Sequence, residues 1–291
     1  MFRLASKHVL LMGGALALVS AALTQDAQAQ PAPFNAPAAA TIAAGQPTPI
    51  PNLSANPWAG GIGVDFVPVL GSPSPLRQDP AHPFVPNGAG AQPTYRIADL
   101  SNPNLKQWAK DIMKKDNDEV LAGKIAFTPR QSCMPAGVPG FILYGGGSVH
   151  FVQTPKVVTM IFDGDMQVRH VYMDVPHSKD PKPSWYGESI GRYEGDTLVI
   201  DTIGQNGKTV LDAYRTPHSD KLHVVERWRI TNEGNGLEVL VTIDDPETFN
   251  QPWQAIRRYR KIPGMLGEQI CAEGNFLLFD YGIPVAKTPD F

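Results

Sequence analysis

Two segments set proton-handling side chains on faces that otherwise read as apolar. In Leu222–Thr231 one alternation carries Leu222, Val224, Glu226, Trp228 and Ile230, and the other carries His223, Val225, Arg227 and Arg229. The first set is the core-facing one, so it places a carboxylate in the interior. A buried Glu is rare unless paired, and burial raises its pKa toward the range useful for proton transfer. Glu226 therefore reads first as one half of a structural ion pair, with Arg257 on Trp253–Lys261 as its partner, and next as a candidate acid. In Met166–Asp174 one face carries Met166, Val168, His170, Tyr172 and Asp174. An apolar end followed by three proton-handling groups suits a cavity that turns polar toward its mouth. His170 is the candidate base there, because imidazole titrates near neutrality. A histidine on a barrel face, bonded to a neighbouring strand, is the alternative. In the catalytic arrangement Glu226 is the acid or its orienting partner, and Arg227 or Arg257 stabilises an anion. Tyr172, Trp185 and Trp228 would line the site.

Other chemistries find less support. His170 and Asp174 sit about 13 Å apart by strand rise, too far to share a metal on one straight strand. No H-E-x-x-H pattern occurs, and no metal is expected. Gly187-Glu188-Ser189-Ile190-Gly191 has hydrolase spacing, but it precedes a strand where a nucleophile elbow needs a helix. Gly145-Gly146-Gly147 lacks the Lys and the helix of a phosphate loop, and no cofactor is expected. The loop from Asp174 to Glu188 carries His177, Ser178, two lysines, three prolines, Trp185 and Tyr186. Such a loop at a barrel rim forms a lid or a binding wall. A second long loop, Gly204 to Lys221, carries Tyr214, Arg215, His218 and Ser219. If both loops lie at one end, His177, Trp185 and His218 converge.

Strands must position these groups. From about Phe151 the pattern has period two, with candidates at Lys156–Phe162, Met166–Asp174, Gly187–Tyr193, Thr197–Ile203, Leu222–Thr231, Leu237–Asp244 and Trp253–Lys261. Asp163-Gly164-Asp165, Glu194-Gly195-Asp196 and Glu233-Gly234-Asn235-Gly236 supply the positive-φ residues that tight turns need. Short joints force antiparallel neighbours. The expected fold is mainly β, an antiparallel meander closed or curled into a lipocalin-like barrel, with a two-layer sandwich as second choice. One N-terminal helix is expected, capped by Asn102 with Pro103 at its first position and ending near Gly123. Leu105, Trp108, Ile112 and Met113 form its apolar stripe.

Half of the 28 prolines in this 291-residue chain fall between Pro31 and Pro93. That stretch cannot form continuous helix and offers few sheet donors. It reads as an extended lead over 30–95, before a β domain over 96–291. Within it, Trp58 to Leu70 is too apolar for a free linker and should lie against the domain. Residues 1–29 read as a signal peptide: Arg3 and Lys7 precede an apolar run from Val9 to Leu23, and Ala27-Gln28-Ala29 is a small-x-small cleavage signal. The expected location is therefore the periplasm or the exterior, with no integral membrane segment in the mature protein. In that oxidising setting Cys133 and Cys271 should pair, closing a loop over nearly half the chain and contributing about 3–5 kcal/mol. A net charge of −3 excludes a general nucleic-acid binder.

The run Trp185-Tyr186-Gly187-Glu188-Ser189-Ile190-Gly191-Arg192-Tyr193-Glu194-Gly195-Asp196-Thr197-Leu198-Val199-Ile200-Asp201 resembles a signature of a large family of exported, functionally uncharacterised bacterial proteins. Cys133-Met134-Pro135, Gln153-Thr154-Pro155, Val225-Glu226-Arg227 and Ile243-Asp244-Asp245-Pro246 share that resemblance, which covers roughly residues 95–291. It implies export and a β-rich domain, and it transfers no catalytic residue. The functional expectation is a barrel that binds a small, partly apolar or aromatic molecule and performs lyase- or isomerase-type acid–base chemistry on it. A non-catalytic ligand carrier and a structural envelope module are the alternatives. The catalytic version requires His170 and Glu226 to face one water-accessible cavity.

Overall fold

The computed structural model describes residues 50–60, 66–73, 76–84, 96–122, 129, 133–143, 147–164, 167–264, 267–268 and 270–271. The expected signal peptide and Gly123 lie outside these residues. The elements in chain order are β1 (Trp58–Gly60), β2 (Val67–Pro68), α1 (Gln107–Leu121), α2 (Gly140–Leu143), β3 (Ser148–Gln153), β4 (Val157–Phe162), β5 (Gln167–Met173), β6 (Glu188–Glu194), β7 (Thr197–Ile203), β8 (His223–Thr231), β9 (Gly236–Asp244) and β10 (Trp253–Lys261). The strands from β3 to β10 pair in sequence order, and β1 pairs with both β3 and β10. This closes a nine-stranded barrel, with β2 added beside β10.

Alternation builds the wall. In β4 and β8 every second residue turns inward, giving Val158, Met160 and Phe162 on one and Val224, Glu226 and Trp228 on the other. The interior is filled by side chains. Trp228 packs at 5.3 Å from Phe151 and 5.6 Å from Tyr259 between ring centroids, and Trp58, Met160 and Val239 are buried with them. Trp58 shows why the apolar run in the proline-rich lead is part of the domain. Its ring is buried and donates from Nε1 to Leu53 O at 2.9 Å, while its backbone pairs with Val149 and Lys261. The barrel thus takes its closing stave from before residue 96.

Two expectations need correction. The helix begins at Gln107 rather than at Pro103, with Lys106 as a cap that makes no side-chain bond. Asn102 instead accepts the Asn104 amide at 2.9 Å, Lys106 N–H donates to Thr248 O at 2.9 Å, and Asn104 O accepts from Asn250 N–H at 2.8 Å, with Leu105 opposite Phe249 between them. The barrel captures the backbone groups that a first helical turn would have used. The buried face of α1 is Ala109, Met113 and Asn117, whereas Trp108 and Ile112 are 37% and 43% exposed. Trp108 lies along the surface and donates from Nε1 to Glu247 O at 2.6 Å. The second correction is that the meander is not antiparallel throughout. β5 and β6 run parallel, and they pair only at Tyr172↔Ile190 and Met173↔Gly191. The 174–187 loop is long because a parallel neighbour needs the chain carried back to the starting end.

Cys133 and Cys271 form the expected disulfide across a sequence separation of 138. Among the described residues no helix is long and apolar enough to cross a membrane.

Candidate functional site

β5 faces the opposite way from its sequence reading. Gln167, Arg169, Val171 and Met173 point inward, while Val168, His170 and Tyr172 point out. Val168 is 43% exposed and Tyr172 51%. Either face of this strand carries apolar and polar groups, so alternation alone does not choose. The choice follows from charge: Arg169 is 1% exposed, and its Nη1 lies 2.7 Å from Oε1 of the fully buried Glu226. That contact is ionic rather than an aligned hydrogen bond. The guanidinium also donates to Ser189 Oγ at 3.1 and 3.0 Å and to Thr202 Oγ1 at 2.7 Å, and Glu226 Oε2 accepts from Trp228 Nε1 at 2.8 Å. A buried charge persists only when paired and bonded in this way. Glu226 is thus ion-paired with Arg169, and Arg257 is buried in the same interior.

The candidate residues separate accordingly. Glu226, Trp228 and Arg257 lie in the barrel interior. Arg227 is outside and ion-paired with Glu194. Trp185 is half-buried in the 174–187 loop. His170 and Tyr172 stand on the outer face of β5, where Thr159 Oγ1 meets His170 Nδ1 at 3.1 Å. His170 and Glu226 therefore lie on opposite sides of the sheet, and the condition of one shared water-accessible cavity is not met.

What the wall does form is a cleft. Below the two pairs that join β5 to β6, the strands part, and an opening of about 470 Å³ lies between them. Val168, His170 and Tyr172 form one wall, and Ser178, Lys182, Ser184, Tyr186 and Glu188 form the other. Arg169 and Ser189 close its floor, and Tyr186 spans it by donating to Gln167 Oε1 at 3.0 Å. Two glycines shape it. A Cβ on Gly191 would lie 2.7 Å from Val171 Cγ1, so only glycine lets β6 come this close to β5. Gly187 has φ +65° and its Cβ would lie 2.3 Å from Ile203 O, so it turns the loop into β6.

The loop forming the second wall is clamped to the barrel. His177 Nδ1 meets Glu188 Oε1 and His177 Nε2 meets Asp201 Oδ1, both at 2.9 Å. His223 Nε2 reaches the same Asp201 oxygen at 2.9 Å. Ser178 donates its amide and hydroxyl to Glu188. Burial pushes Asp201 up, but hydrogen bonds from His223 and His177 outweigh it and hold the carboxyl below its usual range. The hydrogen bond to Asp201 raises His223, and the Ser178 hydroxyl lowers Glu188. Asp201 is thus the centre of this clamp. His218 does not join it: it is buried, with Thr209 Oγ1 at 2.8 Å and Ser219 O at 2.9 Å.

Sequence reasoning found His170, Tyr172 and the lid-like loop, but it missed Arg169, Lys182, Glu188 and Tyr186 as site residues. The Pro- and aromatic-rich loop was the available signal for the last three. A second depression of about 500 Å³ runs along the solvent side of α1, lined by Asp111, Lys114, Lys115, Asp118, Glu119 and Ala122. These are mostly helix-surface charges on an exposed face, where Lys114 and Asp118 pair at 2.5 Å. The chain matches no family model and no curated protein.

Proposed function

We propose that this is an exported binding protein whose small-molecule site is the cleft in the barrel wall between β5 and β6. The observation that carries this reading is the contrast between a filled interior and an open wall. Trp58, Phe151, Trp228, Tyr259 and the Arg169–Glu226 pair occupy the space a lipocalin-type ligand would use. The cleft has the volume of a ligand site and mixes an aromatic wall with a few polar groups. Tyr172, Tyr186 and Val168 offer apolar contact, and Lys182 and His170 offer polar contact. The resemblance carried by Trp185–Asp201 supports export, and that segment supplies the Glu188 wall, the Ser189 floor and the Asp201 clamp. Binding without turnover is favoured over acid–base catalysis because Glu226 is sealed from His170.

The test is native mass spectrometry of the full chain against a panel of small aromatic and heteroaromatic fragments, beside His170→Trp, which fills the cleft from an exposed position. The reading expects fragments retained by the wild type and weakened at least tenfold in the variant. Equal retention by both proteins would place binding elsewhere and overturn it.

A further inference from the structure

The ligand class of this cleft follows from the main chain of β5. Met173 N–H bonds Lys156 O at 2.9 Å, continuing the β4–β5 register in which Val157 faces Tyr172 and Thr159 faces His170. In an antiparallel ladder bonded and non-bonded pairs alternate. Met173, Val171, Arg169 and Gln167 therefore turn their N–H and C=O groups toward β4. Tyr172, His170 and Val168 turn theirs the other way, toward β6. The Asp174 amide confirms this phase, because it bonds Gly191 O on β6 at 2.8 Å. The ladder with β6 holds only Tyr172↔Ile190 and Met173↔Gly191. Beyond it, Val168 and His170 present their amide and carbonyl groups to the opening that they line.

The barrel wall thus contains a length of unpaired strand edge with a cleft beside it. Where the ladder stops, side chains bridge the gap beneath: Arg169 to Ser189, and Tyr186 to Gln167. An exposed edge of alternating donors and acceptors is a template for another extended backbone. We propose that the cleft takes a short extended peptide, paired through its main chain with Val168 and His170. This rests on the cleft being the binding site, and it names the chemistry of the ligand. Val168 and His170 are two residues apart, a span of about 7 Å, which suits pairing with three to four residues. The buried Arg169 and Ser189 close the inward side, so inward-pointing peptide residues must be small. Outward ones lie between Val168 and Tyr172 on one wall and Lys182 and Ser184 on the other. Alternating small and bulky residues are the expected preference.

The test uses the full disulfide-bonded chain, labelled with ¹⁵N, and acetyl-Tyr-Ala-Tyr-Ala-amide. The comparisons are the same peptide with every amide nitrogen methylated, and a panel of amide-free aromatic fragments. Saturating peptide is expected to shift the Val168 and His170 amides and slow their hydrogen exchange at least tenfold. The methylated peptide should bind at least tenfold more weakly. His170→Pro should also weaken binding at least tenfold, because residue 170 makes no ladder bond to β4 and loses only a cleft-facing donor. If the variant fails to fold, the methylated peptide still decides on the wild type. Equal binding of both peptides, or a peptide that leaves the two amides unchanged, overturns the proposal. If amide-free fragments occupy the cleft while the peptide does not, the peptide inference fails and the binding site stands. If neither binds there, both fall.

Discussion

Arg169 and Glu226 decide which way the barrel wall faces. The sequence gives Glu226 away, because Val224, Glu226 and Trp228 alternate with more polar neighbours, and its burial was legible. Its partner was not, because Arg169 stands among residues whose two faces are nearly equal in apolar content. Only the long-range approach of β5 to β8 across the interior assigns the pair. Breaking it leaves one buried charge without its counter-ion, a loss of about 3–5 kcal/mol. Glu226→Ala should therefore lower stability by about that amount in urea unfolding. Arg169→Met combined with Glu226→Leu should recover most of the loss, since apolar residues of similar volume replace such pairs at little cost. The Asp201 clamp makes a prediction with a sign. The folded pKa of His223 is raised, so its contribution is fully present below about 6.5, the unfolded value, and is lost as pH rises through the folded one. Asp201 and Glu188 are lowered, so their contributions are present above about 4 and are lost as pH falls through their folded values. The clamp is strongest between these limits. Urea midpoints should fall from pH 6 to pH 8, and His223→Ala should flatten that slope.

Among the elements, strands were more legible than helix ends or strand faces. Thr197–Ile203 and Trp253–Lys261 are read from the sequence without change, because both combine strong β-formers with a clear turn before or after them. The start of α1 differs from its sequence reading because the cap chemistry of Asn102 and Pro103 is local, while Asn104 and Lys106 bond a segment more than 140 residues away. The parallel β5–β6 pair was hidden by the assumption that consecutive strands fold back on one another. Its sequence mark is the loop length, together with a glycine at 191. Gly191→Ala should overpack the joint against Val171 and cost about 1–3 kcal/mol in urea unfolding. A gain in stability, as expected for Ala replacing Gly in an open strand, would contradict the close approach.

At the scale of the molecule, composition separates a proline-rich lead from a turn-rich β domain, and one strand from within that lead joins the barrel. Trp58 is part of the barrel, because closure needs a strand beside both β3 and β10. The disulfide links Cys133 to Cys271 across a sequence separation of 138, as two cysteines in an oxidising setting should pair. Cys133→Ser with Cys271→Ser should destabilise the chain by about 3–5 kcal/mol in urea, with the native fold retained at low denaturant. The site was the least legible part. The filled interior follows from the bulky inward residues of the alternating strands, but the wall cleft follows from the parting of β5 and β6, which depends on long-range pairing. The central claim is that ligands enter the wall and not the lumen. Amide NMR of the full chain during titration with small aromatic fragments measures this directly. The account predicts shifts confined to residues 168–172 and 178–189, with the amides of Val239 and Phe151 unmoved. Shifts centred on Phe151, Trp228 and Val239, with the cleft silent, would contradict it.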